Sequence, residues 1–541
     1  MKAPGESLLP RVFNSKVRCK LIIKPLTLIL FLSLIQGCSS SKITENAPPT
    51  GPEYVGWLPK TFSSPPTEAV LPAPKELWWQ DFHSQELNQL VALALTNNYD
   101  LRIAVARVAQ SRAQIDSVKA AQSPTVDVTG GYQRQAPFPA VGSAASKADW
   151  YSQGTWQIGA MVNYEVDLWG RKGFNTDAAY AQAVASEFYK EAVALTLVGD
   201  VTATYFQVVS TDERIEVGER NLETIYGISR GLQQRVSKGD ATLIELSQQL
   251  ILQSNTEALV TSLKLQRERA FNRLAALLGT TASSLKIQAK SIQNLSIPIA
   301  SAGLPSDLLC RRPDIKRAEA TLVAAQADLY AARANLFPSF VLSGQGGYGS
   351  YMLSTLTSPQ SLFYNVSSNL VTHVFDGGKR KADIEIAQAK NIELLEGYAG
   401  TVIASMRDVE EALSSVVMTD KSYQTLSQSR ARGKQLAAMT SKVVELGGMD
   451  YMQLFEIQRS VLAAEDAAIS ARLDQLRASV DLFKSIGGGL KLGQSPCYGG
   501  GKLPKPDASW IEAARKLDAS NGSMEAVNAL NGVSSEAAVK P

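Results

Sequence analysis

Apolar residues along this chain follow two periods, and the change from one to the other happens twice. In "TWQIGAMVNYEVDL" Trp156, Ile158, Ala160, Val162, Tyr164, Val166 and Leu168 are apolar, with polar or small residues between them and Met161 the one exception. A period of two marks a strand with one apolar and one wet face. The alternation ends at Asp167-Leu168-Trp169-Gly170-Arg171, and a helical pattern begins at once. The same hand-over recurs at "VFDGGKR", where Asp376, Gly377 and Gly378 precede Lys379 and Arg380. "TVDVTGGYQRQ" from Thr125, the stretch Phe340 to Tyr348 and the stretch Leu362 to Phe375 predict three further strands. The four strands make two hairpins, over 124–168 and 338–376.

The Trp156–Leu168 run is longer than the roughly five or six residues of an ordinary soluble strand. With aromatic residues near both ends it fits a strand that crosses a bilayer, apolar face to lipid and polar face to a lumen. A soluble sandwich strand is the competing reading. At each hand-over an aspartate suits the N-terminus of the incoming helix, and glycine permits the bend. Asp167, Gly170, Asp376, Gly377 and Gly378 are therefore read as structural joints, not as binding sites.

The helical runs are long. No proline interrupts the chain between Pro139 and Pro298, or between Pro359 and Pro496. Lys172 to Lys238 as one helix would measure about 100 Å at the standard rise. Ala178, Ala181, Ala185 and Ala192 leave room for close helix packing, as in a coiled-coil bundle. Glycine breaks in "RVSKGDATLIEL" (Gly239, Asp240) and "VVELGGMDYMQLFEI" (Gly447, Gly448) predict sharp returns, placing long helices over 172–278 and 377–486.

The order of these features is duplicated. Tyr99–Gly130 aligns without gaps to Pro313–Gly344, which pairs Asp100 with Asp314, Ala104 with Ala318, Ala120 with Ala334 and Pro124 with Pro338. Shared order at nearly constant spacing identifies two copies of one unit, over 77–300 and 301–489. The fold class expected is an internally duplicated α+β membrane protein.

The flanks read differently. A basic region (Lys16, Arg18, Lys20, Lys24) precedes the apolar run "PLTLILFLSLIQGCSS", the layout of a secretory leader over 1–37. Its end resembles a bacterial lipobox, which makes Cys38 the lipidated residue; a plain leader followed by a free cysteine is the alternative. Gln36 is atypical of such a box, and Ser39 after the cysteine implies sorting to the outer membrane. Residues 38–76 read as a Pro- and Ser-rich linker and 490–541 as a mobile tail.

Composition narrows the function. A formal net charge of +3 gives no nucleic-acid footprint. Four cysteines without metal-site spacing and two distant histidines, His83 and His373, argue against zinc and haem. Catalytic groupings of Ser, His, Cys or paired carboxylates are absent from the pattern, so neither an enzyme nor a cofactor is expected. Cys310 and Cys497 either pair in an oxidising compartment or remain two free thiols.

Two hairpins give four strands, and a membrane barrel needs about eight or more. Open edges in lipid would strand backbone groups at several kcal/mol each. If the strands are membrane strands, the chain assembles with copies of itself.

The stretches "YEVDLWGRK", "GLPSDLLCRRPDI", "ARANLFPSFVLSGQGGYG", "VFDGGKRKAD", "TVIASMRDVEEAL" and "GGMDYMQLFEIQR" resemble the TolC-like outer-membrane factor family, in its lipoprotein branch serving multidrug efflux. Cys310 departs from the family, where a polar or acidic residue is usual. The resemblance implies a homotrimer: a twelve-stranded β-barrel in outer-membrane lipid, continued by a periplasmic α-helical barrel with an equatorial domain. It implies passive export, powered through a periplasmic adaptor and an inner-membrane transporter. It places adaptor docking at the Gly239–Asp240 and Gly447–Gly448 tips. The family's two aperture acids fall on Gln453 and Glu456, one neutral and one kept, with Glu245 matching after the first tip. Val444 and Met449 stand where some members lock the tip with an aromatic and an arginine, so that lock is absent here or built differently. Protein secretion through the same fold, or a barrel-anchored trimeric stalk, are the rival readings.

Overall fold

The structure is a computed structural model, and it describes residues 55–56, 58–59, 61–63, 77–135, 153–298, 303, 305–445 and 451–488. Cys38, the leader, most of the linker, Cys497, the tail, Gly447, Gly448, Met449 and the side chain of Val444 lie outside the described residues.

Helices α1 (Gln85–Asn97) and α2 (Tyr99–Ala120) open the chain. Each has a side-chain cap: Leu87 N donates to Ser84 Oγ at 3.2 Å, and Leu101 N to Asn98 Oδ1 at 3.0 Å. Strands β1 (Thr125–Gln135) and β2 (Gln153–Val166) follow, then helices α3 (Arg171–Lys238) and α4 (Leu243–Leu277). The order then repeats as α5 (Pro313–Ala334), β3 (Ser339–Ser350), β4 (Leu362–Val371), α6 (Lys379–Glu445) and α7 (Tyr451–Ser485). Pro313 opens α5 at its first turn, where the missing N–H costs nothing.

The four strands form one antiparallel sheet in the order β1-β2-β3-β4. Its register aligns Val128 with Ala160, Ala160 with Gly346 and Gly346 with Tyr364. Val126, Val128, Ile158, Val162, Leu342, Tyr364, Val366 and Leu370 consequently share one face, and all are exposed. Tyr364 and Val366 keep 85% and 82% of their surface, a cost in water that lipid removes. The other face carries Thr129, Gln157, Asn163, Ser343, Gln345 and Asn365, and Met161 stands there opposite Asp127 and Gln345.

One strand is shorter than the alternation suggested. β4 stops at Val371, not Phe375, because its last pair is Ser339 with Val371 and the next partner would be Pro338, which has no N–H to extend the ladder. Val374 and Phe375 leave the sheet almost fully exposed.

The main core gathers near the α1 end of the helices. Trp78 is fully buried, stacked on Phe483 with ring centroids 5.0 Å apart, and Phe82 meets Phe206 edge-on at 5.0 Å. Aromatic burial on this scale dominates local stability. Helix α3 contains a window long and apolar enough to cross a membrane, but it is mostly buried against α5, α4 and α2. The α3–α5 interface also buries two carboxylates, Glu191 and Glu319. Desolvation drives each up to about 7, against opposing attraction from Lys316.

Candidate functional site

The first strand-to-helix joint is built between Glu165 and Gly173. Gly170 caps α3 with φ +76°, a conformation that only glycine adopts without strain. Asp167 Oδ2 accepts the Gly173 N–H at 2.8 Å and so satisfies a first-turn donor of α3. Lys172 Nζ donates to the carbonyl of Ala121 at 2.6 Å, closing the end of α2. Trp169 Nε1 donates to Pro338 O at 2.7 Å, and its ring stacks on Phe337 at 4.9 Å. Arg171 and Lys172 both pair with Glu165, at 2.6 and 3.6 Å.

The second joint repeats the plan with different atoms. Asp376 accepts from Gly378 N at 3.1 Å and from Arg380 Nε at 2.7 Å. Gly377 and Gly378 have φ of +65° and +87°. Arg380 also reaches the carbonyls of Asn335 and Leu336, at 3.5 and 3.3 Å. Asn335 is the duplicate of Ala121, so both copies close the same helix end with a cation from the incoming long helix.

At the first tip, Gly239 ends α3 with φ 81° and ψ 11°, and Asp240 N reaches back to Arg235 O at 2.9 Å. Thr242 then starts α4 with a capping box: its N–H donates to Glu245 Oε2 at 2.7 Å and Glu245 N donates to its hydroxyl at 3.2 Å. These hydrogen bonds from Thr242 hold Glu245 below the usual carboxylate range. Beside it Leu243 and Ile244 are exposed. Of the second tip, Gln453 and Glu456 are described; both are exposed on α7, and Glu456 pairs with Arg459 at 2.8 Å. Glu245 and Glu456 thus stand on different helices, each with its own local partner.

Sequence reasoning missed the polar clamps around the core. Glu86 accepts from Gln288 N at 2.7 Å and Tyr205 OH at 3.0 Å, and Glu213 accepts from Ser291 Oγ at 2.8 Å and Ile292 N at 3.0 Å. Arg312 holds Asp314 with two hydrogen bonds, at 3.0 and 2.7 Å, and reaches Asp408 at 3.2 Å and Ser485 O at 2.9 Å. The clamps tie the connection after α4, and the start of the second copy, to the helices. Only the Glu245 box had a local signature, Thr-x-x-Glu. Cys310 is disulfide-bonded.

A family model described as outer membrane efflux protein matches residues 90–280 and 304–488, the two copies of the unit. The chain belongs to the outer membrane efflux protein family. It is 34% identical over 415 residues to the pyoverdine export outer membrane protein OpmQ of Pseudomonas aeruginosa, covering 76% of this chain and 87% of that one. It is 31% identical over 430 residues to the outer membrane protein OprJ of the same organism, covering 77% and 87%. The open-state crystal structure of the Neisseria gonorrhoeae MtrE outer membrane channel superposes with a TM-score of 0.71 at 25% identity, covering 81% of this chain and 97% of MtrE. As an outer membrane efflux protein, the chain is an efflux channel of the Gram-negative outer membrane, and its fold is the TolC-like one expected from its motifs.

Proposed function

We propose that three copies close a twelve-stranded barrel and act as the passive outer-membrane exit of a tripartite pump, taking drugs or other small toxic compounds from a periplasmic adaptor and an inner-membrane transporter. The single observation carrying this reading is the open four-stranded sheet: among the described residues β1 and β4 each have one unpaired edge, and one face is mainly apolar, with Val126, Val128, Tyr364, Val366 and Leu370 exposed on it. In lipid such edges must pair, and a copy of the chain offers the complementary edge. Export of a small organic molecule is in keeping with the relative named for pyoverdine export.

Other elements take roles in this frame. The Gly239–Asp240 and Gly447–Gly448 returns dock the adaptor, and exposed Leu243 and Ile244 beside the first give it apolar contact. Glu456 supplies one acidic ring at the periplasmic aperture, with Gln453 one turn away as a neutral ring and Glu245 as a cap of the neighbouring helix. Cys38 carries lipid and adds a second membrane anchor. Native mass spectrometry of the detergent-extracted protein is expected to give three chains, and deletion of the gene to raise sensitivity to dyes or drugs. A monomer, or unchanged sensitivity to every compound tried, overturns the reading. Labelled palmitate is expected on the wild type and absent from Cys38→Ser.

A further inference from the structure

Phe363 breaks the pattern of the sheet. Tyr132, Trp156, Tyr164, Phe340, Tyr348 and Tyr364 all stand on the apolar face. Phe363 is the one aromatic residue of the described strands on the polar face, in the row Thr129, Gly159, Gly347, Phe363.

The wall beneath that ring is glycine. A Cβ on Gly349 would lie 3.6 Å from Phe363 Cδ1, so the ring already rests over that residue. At Gly347 and Gly159 the strands approach too closely for any side chain: a Cβ on Gly159 would sit 2.7 Å from Gly346 O, and one on Gly347 would run into the carbonyl of Ile158. Phe363 is half-buried, with the Cδ1–Cε1 edge of its ring beside Gly349. The charges on the same face are acidic throughout the described strands: Asp127 and Glu165, the latter tied to Arg171 and Lys172. Asp127 stands in the row next to Phe363, opposite Met161.

We propose that Phe363 is a specificity-determining residue of the membrane section, a stacking platform for planar aromatic cations passing through the bore. The proposal rests on the three-copy barrel, which turns the polar face into the lumen and places β4, with its ring, beside β1 of the next copy, with its Asp127. A ring set against glycine on the neighbouring strand can turn a π-face to the bore without displacing a larger side chain. Flat aromatic groups and cations bind such a face, and a nearby carboxylate favours the cation. A wall built only to exclude water would not need an aromatic ring among amides and hydroxyls.

The test is block of single-channel current in planar bilayers by ethidium added on the side of the hairpin loops, with tetrapropylammonium as a cation that lacks a π-face. Phe363→Leu keeps the bulk of the side chain and removes the ring. Ethidium is expected to block the wild type at a concentration about three- to tenfold lower than it blocks Phe363→Leu. Tetrapropylammonium is expected to block both alike, and Tyr364→Leu, on the lipid face, to behave as wild type toward both. Equal ethidium block of wild type and Phe363→Leu overturns the proposal, as does an equal loss for both cations. Native mass spectrometry of the same preparation separates the two readings: three chains with no ring effect sink the platform alone, whereas a wild type that is not three chains sinks the barrel and the platform together.

Discussion

The indole N–H of Trp169, at the end of the first copy's hairpin, donates to the carbonyl of Pro338, just before the second copy's hairpin begins, at 2.7 Å. The two hairpins are therefore fastened at their helical ends as well as along the β2–β3 ladder. Trp169→Phe keeps the stacking on Phe337 and loses the hydrogen bond, a cost of about 1 kcal/mol. Trp169→Ala loses both, roughly two to three times as much. The temperature at which the assembly dissociates on detergent gels is expected to fall in that order.

Gly347→Ala is expected to block assembly of the sheet, because its methyl group would displace backbone of β2 that has nowhere to go. Gly131→Ala serves as the control: nothing lies within 4 Å of its Cβ position. Heat-modifiable mobility, the signature of a formed barrel, should vanish in the first variant and persist in the second.

Thr242→Ala removes one half of the capping box, at about 1 kcal/mol of local helix stability. Glu245→Gln removes the other half's charge. Since Glu245 titrates lower in the folded chain than in the unfolded one, its contribution is present above the unfolded value and is lost as pH falls through the lowered one. Protection of the amides across Leu243–Leu246, taken relative to the intrinsic exchange rate at each pH, should fall in both variants at neutral pH and in the wild type only under acid.

Glu191 and Glu319 carry the opposite sign. Burial raises both to about 7, so the stability tied to their protonated forms is complete below the unfolded carboxylate value and is lost as pH rises through 7. The unfolding temperature is expected to fall between pH 5 and pH 8. Glu319→Gln should flatten that fall and be the more stable protein at pH 8, by on the order of 2 kcal/mol. A profile unchanged by the substitution would count against a titrating Glu319.

Local patterns were readable where one chemical force acts on adjacent residues. Lipid against lumen writes a period of two into Trp156–Val166, and the first helical return announces itself as Gly239, while the Thr242–Glu245 box beside it came only with the structure. The end of β4 was not readable from β4, because the residue that stops it, Pro338, stands just before the partner strand. Glu86 and Glu213 were opaque for the same reason: their partners, Gln288 and Ile292, come from a distant connection that has no periodicity of its own. Phe363 stands out of step with Leu362, Tyr364, Val366 and Leu370, and the register puts it in one row with Thr129, Gly159 and Gly347 on the wet side.

The two copies have drifted far in sequence but not in measure. Helix α3 runs 68 residues from its joint, and α6 is unbroken over 67 described residues from its own joint on the same sheet. At about 1.5 Å per residue each covers roughly 100 Å. In a three-copy assembly six such helices would span that distance from one sheet. An insertion in one of them without a matching insertion in its twin would throw the pair out of step, which makes their reach a shared constraint even where the residues are not.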